Sequence, residues 1–156
     1  MKWRKLTAFA LSTVMITLAS CESEQETFDE NYYENNSIVM SGTNEVPSVT
    51  TTGTGSVKAN YSKLSRILNY TVSFSGLSAN ATAAHIHGTA EPGVNAGILQ
   101  TFNNFPLQKQ GTYTGTLFLD GVKLKEEDLL AGRYYVNIHT STNTGGEIRG
   151  QLILAQ

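Results

Sequence analysis

Leu68-Asn69-Tyr70-Thr71-Val72-Ser73-Phe74-Ser75 alternates apolar and polar side chains without a break. Successive side chains of an extended strand point to opposite faces, so this run has one face for a core and one for water. The same period of two recurs in Val57-Ala59-Tyr61, from Tyr113 to Leu119, in Tyr134-Val136-Ile138 and in Ile148-Gly150-Leu152-Leu154. Turn-forming clusters separate these runs: Gly53-Thr54-Gly55, Gly76, Glu91-Pro92-Gly93, Asp120-Gly121 and Thr144-Gly145-Gly146. Only Leu124 to Leu130, where lysine and glutamate mix with leucine, predicts a helical turn or two. Short strands at this spacing predict an all-β domain, a β-sandwich or flattened barrel with Greek-key connections, over residues 37–156.

The segments before that domain read differently. Lys2, Arg4 and Lys5 are followed by Leu6 to Ala19, fourteen residues without a charge. That is a secretory signal pattern, and it is shorter than the roughly 20 residues a membrane-spanning helix needs. It ends in Leu18-Ala19-Ser20-Cys21, which resembles the bacterial lipobox, and Cys21 is the only cysteine of the 156 residues. The resemblance implies a signal peptide over residues 1–20, cleavage before Cys21 and lipidation of its sulfur. Residues 22–36 hold six acidic and no basic side chains, so residues 21–36 are expected to be an acylated, flexible acidic tether. The expected address is the cell envelope, at the outer membrane, on its periplasmic face or at the cell surface.

Composition narrows the function. The net charge is −2, and loss of the signal would leave eight basic against thirteen acidic side chains. No basic face for nucleic acid is predicted. A single cysteine excludes an internal disulfide and a cysteine-rich zinc site. No phosphate-binding glycine motif and no nucleophile–base arrangement stands out, so the chain reads as more a binding protein than an enzyme.

The three histidines are the chemical signal. His85 and His87 flank Ile86, so on a strand both imidazoles leave one face while Ile86 enters the core. His139 falls on the face opposite Ile138, and Arg149 is outward on the following strand. A hairpin tipped near Thr144 would set His139 opposite Arg149. Three neutral imidazoles on rigid strands suit a metal ion, and copper is favoured over zinc because no thiolate or carboxylate accompanies them. The plainer alternative is that each ring hydrogen-bonds its neighbours on a polar face. Glu147 and Arg149 share a face, as an ion pair or as an anion guide. Glu45 and Pro47 are expected to shape a strand entrance, and Tyr134-Tyr135 to place one ring inside and one outside.

Four segments resemble the CHRD domain: Asn44-Glu45-Val46-Pro47, Ala84-His85-Ile86-His87-Gly88, the run from Ala131 to Thr140, and the run from Gly145 to Leu152. The resemblance covers about residues 41–154. It implies an immunoglobulin-like sandwich related to copper/zinc superoxide dismutases and no particular activity. His85, His87, His139 and Arg149 look like counterparts of the dismutase copper ligands and its anion-guiding arginine. A fourth histidine, a cysteine pair and a histidine-rich zinc loop are missing from the sequence. Three functions follow in order: a lipid-anchored metal-binding domain, a surface module meeting an unknown protein or glycan partner without metal, and a dismutase-like redox enzyme.

Overall fold

The computed structural model describes residues 29–156. The expected signal peptide, the expected lipidation site Cys21 and the first half of the expected tether, residues 21–28, lie outside the described residues. Eight strands carry the fold: β1 (Tyr32–Ser41), β2 (Thr54–Ser62), β3 (Ile67–Ser75), β4 (Ala81–His87), β5 (Ile98–Thr101), β6 (Gly111–Phe118), β7 (Tyr135–Thr140) and β8 (Ile148–Gln151). One helix, α1 (Glu126–Leu130), and a 3-10 turn at Gly42–Asn44 complete the regular structure. All pairings are antiparallel, in the order β5-β4-β7-β8-β1-β2-β3-β6. Strands β1 to β3 form a meander. The chain then crosses to build β4 and β5, returns to place β6 beside β3, and crosses again for the β7–β8 hairpin, which is Greek-key connectivity.

The alternation read from the sequence fills the interior. Leu68, Tyr70, Val72 and Phe74 of β3 are buried, as are Val57, Ala59 and Tyr61 of β2. Val136 and Ile138 of β7 meet them with Ile86, Ile148 and Leu152 in the same core. Each large apolar side chain so buried contributes about 1.5–3 kcal/mol. Gly115 faces inward on β6 because the ring of its cross-strand partner Tyr70 occupies the space a side chain would need. The outermost strands β5 and β6 approach each other: the Gln100 Nε2–H donates to the Thr116 carbonyl at 2.8 Å, and Tyr70 donates its hydroxyl to Gln100 at 2.8 Å. The sheet is therefore a flattened, nearly closed barrel whose seam is stitched by side chains rather than a backbone ladder.

Three expectations change. Strand β1 opens at Tyr32, so Tyr32 to Asn36 belong to the sheet and not to a tether. Their backbone is held by β2 and by reciprocal Glu34–Ala155 hydrogen bonds of 2.7 and 3.0 Å, which repay the ordering cost that the acidic composition alone would not. In the β7–β8 hairpin Arg149 stands opposite Asn137, not His139. Tight bonds around Asn143, from Thr140 N–H at 3.2 Å and Gly146 N–H at 3.1 Å, move the tip one residue earlier and the register by two. Tyr134 is in the core as expected of one ring, but Tyr135, on the outer face, is buried as well.

Candidate metal centre

Ala84 and Ile86 enter the core from β4, which turns His85 and His87 to the outer face. In the ladder with β7, His85 lies opposite Asn137, His87 opposite Tyr135, and the small Ala83 opposite His139. His139 is thereby a diagonal neighbour of His85, and the three histidines come together. One nitrogen from each lies within 4.8 Å of the others. His85 Nδ1 is 3.0 Å from His139 Nε2, and the His85 and His87 rings meet edge to face at 5.4 Å.

Carbonyl groups fix two of the rings. His87 Nδ1 lies 3.0 Å from the Ala96 carbonyl, and His139 Nδ1 lies 2.9 Å from the Thr144 carbonyl. A carbonyl only accepts, so both Nδ1 atoms carry hydrogen and both Nε2 atoms keep a lone pair for a ligand role. His85 Nδ1–H then donates to His139 Nε2. Burial, followed by the neighbouring His139 and His87, pushes the His85 imidazole down to about 4. Burial likewise lowers His87, with Arg149 adding to the effect and the Ala96 carbonyl opposing it. Both rings are neutral at pH 7, the state a metal requires.

Behind the histidines the outer face is covered and polar. His87 stacks on Tyr135 at 4.9 Å and 4° between planes, and the Arg149 guanidinium lies over the same tyrosine ring at 3.4 Å. Arg149 is 1% exposed. Its N–H groups donate to the Val94 carbonyl at 2.9 Å, to Gln151 Oε1 at 3.2 Å and to Asn95 Oδ1 at 3.3 Å, clasping the loop between β4 and β5. The expected Glu147–Arg149 pair does not form; among the described residues the ion pairs are Lys125–Glu127, Arg133–Glu91 and Arg133–Asp128. Glu147 is instead drawn to the other end of the hairpin. It accepts from Thr51 Oγ1 at 2.6 Å, Ser78 N–H at 2.7 Å, Ser78 Oγ at 2.6 Å and Thr140 Oγ1 at 2.7 Å. Burial would raise this carboxyl, but those donors outweigh it and hold the group near 2.

Two residues join the site that the sequence reading did not place there. Glu45, expected only at a strand entrance, is 6% exposed beneath the hairpin. Burial pushes its carboxyl up to about 7, against the opposing pull of Arg149, the Val46 N–H and Asn137. Asn137 is 3% exposed and lies on the outer face of β7 between Tyr135 and His139. Gly146 makes room for both: a Cβ there would collide with Glu45 Oε1 and Asn137 Nδ2. An asparagine in mid-strand on the face of His139 was the available signal for Asn137. For Glu45 it was a carboxylate between Asn44 and Val46-Pro47, with no basic neighbour.

The model of the CHRD domain family matches residues 37–152, nearly all of the described chain. The chain belongs to the CHRD family. No curated protein and no solved structure matches it significantly.

Proposed function

We propose that this CHRD-domain chain is an envelope protein, held by a lipid on Cys21, that binds one metal ion through His85, His87 and His139, with copper favoured. The observation that carries the reading is the convergence of three imidazoles from two paired strands, two of them oriented by backbone carbonyls. Metal-ligating histidines usually donate their second N–H in this way. Three nitrogen donors without thiolate or carboxylate match the ligand preference of Cu²⁺ over that of harder cations, and Zn²⁺ is the competitor.

The test is calorimetric titration of the full-length chain with Cu²⁺ and Zn²⁺, beside a variant with all three histidines changed to alanine. One-to-one binding that the variant loses supports the reading. Weak binding that is the same in both would sink it.

A second reading has its own support. The His85–His139 hydrogen bond and the His87–Tyr135 stack give every ring a structural partner without an ion. On that reading the domain is a surface module for a protein or glycan, and the histidine variant unfolds at lower temperature whether or not metal is present. Dismutase-like catalysis comes last. Arg149 is committed to the loop between β4 and β5, and the sequence lacks a fourth histidine. Dismutation by the copper-loaded chain no faster than by free copper ends that reading.

A further inference from the structure

Asn137 occupies the middle of the histidine cluster. It is the cross-strand partner of His85, the same-face neighbour of His139 two residues along β7, and its side chain lies beside that of His87. Its Oδ1 is buried and has no hydrogen-bond partner, and the same holds for His87 Nε2 and Glu45 Oε1. Buried polar atoms without partners are uncommon, and each costs about 1–3 kcal/mol.

Which end of the carboxamide faces which neighbour is decided by chemistry. The amide nitrogen is the end that lies beside Glu45, and a carboxyl keeps an accepting oxygen whether or not it is protonated. The room left by Gly146 holds those two groups, Asn137 Nδ2 and Glu45 Oε1, side by side. Oδ1 is then directed the other way, towards the imidazoles. There it meets a second acceptor, because His87 has already committed its Nδ1–H to the Ala96 carbonyl. A lone pair on Asn137 Oδ1 and a lone pair on His87 Nε2 share a buried space with no hydrogen to divide between them. A cation satisfies both at once.

We propose that Asn137 Oδ1 is the fourth donor of the metal centre, and that Glu45 is the positioning residue that keeps the carboxamide in its ligating orientation. The inference rests on the three-histidine reading and extends it to a three-nitrogen, one-oxygen set. An oxygen donor of this kind is shared by many divalent metals, so it broadens the site beyond a purely nitrogen one. Glu45 does not touch the ion; it acts through Asn137.

The experiment uses the full-length chain, titrated with Cu²⁺ and followed by calorimetry and by the visible copper absorption, for the wild type and for Asn137→Leu, Asn137→Asp and Glu45→Gln. The leucine variant loses about tenfold or more in affinity, a loss of the size that changes around metal ligands produce. The aspartate variant, which restores an oxygen, binds within about threefold of wild type or tighter, with a displaced absorption band. A merely structural asparagine would give the opposite order, since a second carboxylate beside Glu45 would be worse than leucine. Glu45→Gln falls between wild type and leucine. In ¹⁵N-labelled wild type, Zn²⁺ also shifts the Asn137 side-chain NH₂ signals, a readout independent of how the variants fold. Wild-type affinity in Asn137→Leu, or NH₂ signals that Zn²⁺ leaves in place, would overturn the inference while leaving the three-histidine site standing. A wild type that takes up neither metal overturns both.

Discussion

The Arg149 guanidinium lies 3.4 Å from the centre of the Tyr135 ring, and His87 stacks on the same tyrosine. Arginine, phenol and imidazole thus form a buried layer across β8, β7 and β4, capped by the loop between β4 and β5. The arginine supports the candidate centre from behind, with its donors spent on Val94, Asn95 and Gln151.

Replacing Arg149 by methionine removes a stacked cation and leaves three acceptors without donors. A loss of about 2–3 kcal/mol is expected, read as a lower urea midpoint with an unchanged slope. Arg149→Lys recovers little of it, because an ammonium can neither lie flat on a ring nor reach three acceptors in one plane. Equal midpoints for the lysine variant and the wild type would contradict this account.

Acid acts through Glu147. Its carboxyl is held near 2 in the folded chain against an ordinary value of 4.5, so the unfolded chain binds the extra proton between those values. Stability is present above pH 4.5 and falls as pH drops through that window. Urea unfolding from pH 5 to pH 2 should show the decline, and Glu147→Gln, less stable at pH 7, should show a flatter profile. Glu45 works in the opposite sense: raised to about 7, it lets the folded chain hold the extra proton, so its contribution is lost as pH climbs from 4.5 through 7. Glu45→Gln should flatten that second window.

Adjacent glycines should differ sharply. Gly146 has φ of +127° and no room for a Cβ beside Glu45 and Asn137, whereas a Cβ on Gly145 would meet nothing within 4 Å. Gly146→Ala is expected to cost about 1–3 kcal/mol from backbone strain alone. It should also weaken Cu²⁺ binding by displacing Asn137. Gly145→Ala should melt within a degree or two of wild type, about 0.5 kcal/mol at most for a surface change. Similar melting temperatures for the two variants would show that the space at Gly146 is not needed.

Cys21 is testable without any structure. Cys21→Ser should abolish incorporation of labelled fatty acid and move the chain from the membrane to the soluble fraction of an expressing bacterium. Acylation at Cys21, as proposed, would account for such retention, since each buried methylene adds about 0.8 kcal/mol. A serine variant that stays with the membrane would mean a different anchor.

Much of this architecture is legible in the sequence because strands declare themselves locally. The alternation from Leu68 to Ser75 assigns a face to every residue, and His85-Ile86-His87 needs only a strand to place both imidazoles together. Register is harder. It depends on where a turn closes, and bonds around Asn143 moved Arg149 from His139 to Asn137. Glu147 shows the same limit: its partners Thr51 and Ser78 come from segments about 96 and 69 residues earlier, which no local pattern connects. Strand β1 exceeded its expected start because acidic composition speaks for solvent, while pairing with β2 and Ala155 depends on the finished sheet.

The row Ser41, Arg149, Asn137, His85 runs straight across β1, β8, β7 and β4. Tyr32, where β1 begins, is nine residues of extended strand away from Ser41, roughly 30 Å at about 3.3 Å per residue. The barrel is therefore a polarised body, with the incoming chain at one pole and the imidazoles towards the other. Any support gripping the chain ahead of Tyr32 would present the histidines outward, facing whatever diffuses past rather than the support itself.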